Sequence, residues 1–393
     1  MAEMIERRRQ VMQHTSVART GCLLAIATLL VASGCGGFFV YPGSNGNGGG
    51  GNTTGDYVYV ANSSTSTPNP SLAGFAVGTG TLTAVANSPY TLPASPVALV
   101  INPANSLLYV ACGSGIYGYA IRSTGALSAL NGGSPVAPTS VASMDISPDG
   151  QWLLALDEAA NVIDEYRIDS STGGLTGQTF TYSATGAINP LAIKVSPNAQ
   201  FVFAALGTAG ELVFPFNTAS GALSTSTQFA PPPGSSDNAV AVDTNSTYLY
   251  IARSGTNGGL AVYSIGLGGA LGAVTGSPFA ASKQPASENS VRLNKAGTAV
   301  YIANYSDGAI SGFSIGSGGV LTPLGGSPYP GGLFVAALAL DNSGNYLLSA
   351  SQGGSPDLAL YSFDTTTAGK LDLAASTATG TDPTQAIAIA ATH

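Results

Sequence analysis

The chain has 393 residues, of which 12 are Lys or Arg and 20 are Asp or Glu, for a formal net charge of −8. Charged residues make up only 8% of it, against roughly 25% in an average soluble domain. The 44% hydrophobic content excludes an intrinsically disordered chain, which pairs few apolar groups with high charge. Scarce Glu, Lys and Arg leave little for the outer faces of helices. A surplus of Gly, Ser, Thr, Val and Tyr favours an all-β protein of many short strands. Beyond residue 34 the basic residues are few and unclustered, so no nucleic-acid partner is expected.

In chain order, residues 1–21 are polar and carry Arg7, Arg8, Arg9 and Arg19. The apolar run from Cys22 to Ala32 is eleven residues long, too short for a membrane-spanning helix, which takes about 20, and suited to the core of a signal peptide. It ends in Ala32–Ser33–Gly34–Cys35, which resembles the bacterial lipobox. That resemblance implies a lipoprotein signal peptide over 1–34 and lipidation of Cys35. The protein is then expected at the bacterial cell envelope, periplasmic or cell-surface facing, with the membrane as partner through its lipid anchor. Residues 35–56 are rich in Gly and Asn and read as a flexible tether. Beyond them Cys112 is the one remaining cysteine, with no partner for an internal disulfide, and reads as a small buried residue of a strand.

Two markers then repeat along 57–393. The first is a strand of the form aromatic–apolar–Ala at Tyr59–Val60–Ala61, Tyr109–Val110–Ala111, Phe203–Ala204–Ala205, Tyr250–Ile251–Ala252 and Tyr301–Ile302–Ala303, with weaker copies beginning at Leu154 and Leu348. Successive copies are 50, 45, 49, 47, 51 and 47 residues apart. The second is Gly-x-Leu, with leucines at 82, 127, 175, 223, 271, 321 and 371. Its glycine suits a tight hairpin, where positive φ carries no Cβ penalty. Seven units of about 48 residues, each reading as four strands, predict a seven-bladed β-propeller of four-stranded antiparallel blades. Its first strand, at Tyr57, lacks a predecessor. Its last, Gln385–Ala390, lacks successors, so the two terminal strands are expected to close the ring within one blade.

Ile146–Ser147–Pro148–Asp149–Gly150 followed by Trp152–Leu153–Leu154, with Val195–Ser196–Pro197–Asn198 and Val300–Tyr301–Ile302–Ala303–Asn304, is similar to the blade signature of the seven-bladed lactonase family, which includes 6-phosphogluconolactonases. The strand phrase also resembles that of surface-layer propellers. The lactonase resemblance implies catalytic His, Arg and Glu residues near the channel mouth, and this chain does not carry them. The family's histidines fall on Ser140 and Ala142, its Arg-His pair on Leu191 and Ala192, and its glutamate on Gly207. A further Glu and Arg fall on Ser290 and Tyr305, with Glu288 nearby; Asp157, Tyr166 and Arg167 match. No catalytic residue is carried over.

The residue count points the same way. The only histidines are His14, in the signal segment, and His393, the last residue. A histidine base and a zinc site are therefore not expected, and neither is any other metal or cofactor. One constellation stands out. Val100, Asp145, Lys194, Ala241, Arg292, Ala339 and Ala388 are read as one level of the seven innermost strands. Asp145, Lys194 and Arg292 thus form a candidate channel ligand site for a small polar or anionic ligand, held by Lys194 and Arg292, or a structural pairing of Asp145 with Lys194. The expected function is a monomeric, non-catalytic binding or scaffold module with a protein or carbohydrate partner, acting through loops such as 62–71 and 230–238. The alternatives are a lactonase-type hydrolase and a surface adhesion or glycan-binding protein.

Overall fold

The computed structural model describes residues 55–63, 69–159, 161–281, 288–354, 356–380 and 385–393. The signal segment, Cys35 and nearly all of the tether lie outside them. No helix among the described residues is long and apolar enough to cross a membrane.

The sheets follow the repeat. In blade 3 the strands Val141–Ile146, Trp152–Asp157, Val162–Ile168 and Leu175–Thr181 form one antiparallel sheet in chain order from the axis outward, and five more blades are built likewise. In blade 4 the outer strand is split into Ala222–Leu223 and Thr227–Phe229. The seven innermost strands each pack on two neighbours, and the circuit closes where Val335–Leu340 meets Ala386–Ala391. Apolar side chains form seven clusters, one between each adjacent pair of blades. Both faces of every sheet are therefore buried, which leaves little surface for charge.

The two sequence markers meet across these interfaces. Tyr59 Oη donates to the Gly125 carbonyl at 2.7 Å, Tyr109 to Gly173 at 3.1 Å, and Tyr301 to Gly369 at 2.5 Å. Each of these three tyrosines thus clamps the hairpin of the next blade, and each bond contributes about 1 kcal/mol. The hairpin glycine is also spatially required. At Gly221 (φ +76°) a Cβ would lie 2.4 Å from the Trp152 ring of the preceding blade.

A third repeat was not read from the sequence. The innermost strands end in a polar residue whose side chain accepts the backbone N–H five residues on. Asn102 takes Leu107, Ser147 takes Trp152, Ser196 takes Phe201, Asp243 takes Tyr248, Asn294 takes Ala299 and Asp341 takes Tyr346. In blade 1 the chain is broken at this turn, yet the bond persists: Tyr57 N–H donates to Thr392 Oγ1 at 2.9 Å. Val58–Asn62 pairs with Ala386–Ala391 in the same sheet, so strands from the two ends of the described propeller complete one blade. Asp56, placed by composition at the end of the tether, is held at this seam. Its carboxylate accepts Asn342 N–H at 3.1 Å, and its carbonyl accepts Val77 N–H.

Candidate functional site

Every innermost strand runs from an upper face, bearing the connections that lead into it, to a lower face, bearing the polar turns just described. Asp145, Lys194 and Arg292 stand opposite Leu154, Phe203 and Tyr301 of their second strands, close to the lower end. The same register selects Ala390, which faces Tyr59, rather than Ala388. The correction arises at the closing strand, whose pairing could not be counted across the chain break.

Asp145 and Lys194 pair across adjacent blades at 3.0 Å. The Asp145 carboxylate also accepts Val195 N–H at 2.8 Å, so it braces blade 4 against blade 3. Arg292 does not join the pair. Its Nη1 donates to its neighbour's carbonyl, Val291 O, at 3.0 Å. The side chain is half-buried, and desolvation pushes the guanidinium below its ordinary value, opposed by the negative charge of Asp145.

The structure adds a fourth member, which corrects the expectation that no histidine serves the propeller. His393 follows the closing strand to the lower end of the channel, where its backbone N–H donates to Asn105 Oδ1 at 3.0 Å and Asn105 Nδ2 donates to its carbonyl at 2.6 Å. Desolvation lowers its pKa, and it feels the charges of Lys194, Asp145 and Arg292. The reading of residues 385–390 as an innermost strand carried this signal, since the next residues must then reach the lower end of the axis.

The positions matched to the family's catalytic residues lie at the other end, on the upper face, and are taken up by structure. Ser290 Oγ accepts Leu338 N–H at 3.1 Å, Ser140 Oγ donates to Glu158 at 3.2 Å, and Tyr305 donates to the Gln352 side chain. Six of the seven innermost strands carry a bulge here, where the ladder register skips Val97, Ala142, Asn238, Asn289, Ala336 and Ile387. Bulges re-aim side chains, and they recur beside functional sites.

Sequence reasoning missed one buried cluster. Arg253 and Asp237 form a bidentate pair at 2.5 and 3.0 Å, both almost wholly buried. Beside them Glu211 is fully buried with no hydrogen-bond partner for either oxygen. Desolvation, and then the charge of Asp237, raise its pKa well above the ordinary carboxylate value. Glu211, Asp237 and Arg253 lie on three different strands of two blades, so no local pattern announced them. Among the described residues no group of three or more His, Cys, Asp or Glu side chains could hold a metal ion.

A family model described as lactonase, seven-bladed β-propeller, matches residues 117–235 and 208–327, together more than half of the chain. The chain belongs to the seven-bladed lactonase family. A candidate 6-phosphogluconolactonase from Bacteroides uniformis is 17% identical with a TM-score of 0.69, covering 86% of this chain and 99% of that one. The periplasmic gluconolactonase of Pseudomonas aeruginosa is 15% identical with a TM-score of 0.64, covering 86% and 99%. Hydrazine synthase of Kuenenia stuttgartiensis superimposes with a TM-score of 0.55 at 15% identity, covering 72% and 86%. At these identities the likeness establishes the propeller alone. No curated protein sequence matches. Within the lactonase family this chain combines intact blades with an upper mouth whose matched catalytic positions are Ser, Ala, Leu, Gly and Tyr.

Proposed function

We propose that this protein is a non-catalytic, envelope-anchored lactonase-family propeller that binds a small organic anion at the lower end of its channel. One observation carries the reading. Arg292 is a half-buried guanidinium whose only side-chain hydrogen bond among the described residues is to its own neighbour's carbonyl, while Asp145, the carboxylate whose charge it feels, is occupied by Lys194. A partly desolvated cation without a counter-ion is unfavourable, and a carboxylate or phosphate can satisfy the guanidinium through two parallel hydrogen bonds. The site carries one net positive charge within an acidic protein, which favours a single small anion over a polyanion. Gluconate and 6-phosphogluconate are the natural first probes, being the acids formed on hydrolysis of the lactones after which the similar solved structures are named.

Titration calorimetry of the full chain should show saturable binding of one of these anions, weakened at least tenfold by Arg292→Ala. Binding that survives this substitution excludes the channel site. The anchor is tested separately: labelled palmitate should be incorporated and lost in Cys35→Ala. A lactonase-type hydrolase is the second reading, favoured by the His393 imidazole, which lies within reach of the charges of Lys194, Asp145 and Arg292. Acid release from a panel of lactones, abolished by His393→Ala, establishes that reading; no turnover at any pH retires it.

A further inference from the structure

The upper mouth has a chemistry opposite to that of the lower one. Phe334 sits at φ +56°, a conformation uncommon and strained for a bulky side chain. Core packing does not demand it, because Phe334 is 39% exposed and Leu333 beside it is 56% exposed. Its ring instead stacks on Tyr305, with centroids 5.0 Å apart and planes 22° from parallel. The pair is fixed from below. Tyr305 donates to the Gln352 side chain, and Gln352 N–H donates to the Phe334 carbonyl at 2.8 Å. Around the mouth stand the bulge residues, of which Val97 is 41% exposed on an innermost strand and Asn289 is exposed as well.

We propose that this mouth binds a neutral saccharide, with Phe334 on Tyr305 as a platform for the apolar face of a sugar ring. A rigid aromatic surface flanked by a few amides, here Gln352 and Asn289, suits a ligand with C–H faces and hydroxyl edges. Charge argues against anionic sugars. Neither the platform nor the bulge residues bear charge, and the solvent-accessible charged groups described on this face, Asp157, Glu158 and Asp307, are acidic. The strain at Phe334 persists because it holds the ring out in solvent, where only a ligand uses it. The site is independent of the channel anion and lies at the opposite end of the axis.

Saturation-transfer NMR on the full chain with maltotriose, cellotriose, chitotriose and xylotriose tests it, with 6-phosphogluconate and a hydrophobic dye as comparison probes. One neutral trisaccharide should give ring-proton transfer, and Phe334→Gly should reduce its affinity at least tenfold. The same substitution relieves the positive φ, so the melting temperature should hold or rise, which separates lost binding from lost fold. Tyr305→Ala provides a second variant, since Tyr305 belongs to none of the core clusters, and Arg292→Ala should leave sugar binding unchanged. Transfer to no neutral sugar, binding by the dye or the anion alone, or undiminished binding in Phe334→Gly overturns the proposal.

Discussion

Adjacent glycines in one hairpin separate turn geometry from blade packing. Gly268 and Gly269 lie in the turn Leu267–Gly269 of blade 5, with φ of +67° and +81°. Alanine at either position meets the same left-handed backbone penalty, about 1–2 kcal/mol, partly offset by about 0.4–1 kcal/mol from a less flexible unfolded chain. At Gly268 a Cβ would find nothing within 4 Å, whereas at Gly269 it would lie 2.7 Å from Val213 Cγ1 and 3.0 Å from Phe201 Cε1 of blade 4. Relaxed carbon contacts are about 3.5–4.0 Å, so one of these side chains must move by roughly 1 Å. Overpacking of this kind costs about 1–3 kcal/mol. Gly269→Ala should therefore be less stable than Gly268→Ala by that amount, a melting difference of about 2–5 °C in a unit of this size. Thermal and urea unfolding followed by far-ultraviolet circular dichroism measure it. Adding Val213→Ala should recover part of the extra loss, because the two sites are coupled. Gly318 and Gly319 offer a replicate, with the Tyr248 ring 2.6 Å from a Cβ at Gly319 and nothing near Gly318. Equal losses at both members of a pair would refute the claim that these glycines serve the neighbouring blade.

Thr392→Val removes the acceptor of Tyr57 N–H and should cost about 1–3 kcal/mol for a buried donor left unpaired. Amide exchange should accelerate at both strands of the seam, while Ser196→Ala, which removes the matching bond inside a continuous turn, should accelerate blade 4 alone; the same pattern in both variants contradicts the seam's special role. Burial raises the pKa of Glu211, and burial with the Asp341 carboxylate raises Asp56 to about 7. Both acids are therefore favoured protonated in the fold, and their contribution is present below about pH 4 and lost as pH rises through their folded values. Stability should fall from mildly acidic to neutral pH, and Glu211→Gln with Asp56→Asn should flatten that profile; an unchanged slope removes these acids as its source. Cys112 is 1% exposed, and burial pushes its thiol up to about 12. In a chain carrying Cys22→Ser and Cys35→Ser, iodoacetamide should label Cys112 only on unfolding; rapid labelling of the native protein contradicts its burial.

The sequence alone determined the number of blades, the order of strands and the hairpin glycines. These rest on local chemistry, strand alternation and positive φ, written seven times over. It also marked Asp145, Lys194 and Arg292 as one level, because strand register carries a residue's height along the axis. Tertiary structure decided which of them meet. Asp145 takes Lys194 from the next blade and leaves Arg292 without a carboxylate, a choice made by radial neighbours about 50 residues apart in the chain. Ring closure brings Thr392 to Tyr57, 335 residues away, and with it carries His393 to the channel. Glu211, Asp237 and Arg253 converge only because two blades pack face to face. A repeat in sequence sets the height of each side chain, and the angle of one blade to the next sets its partner.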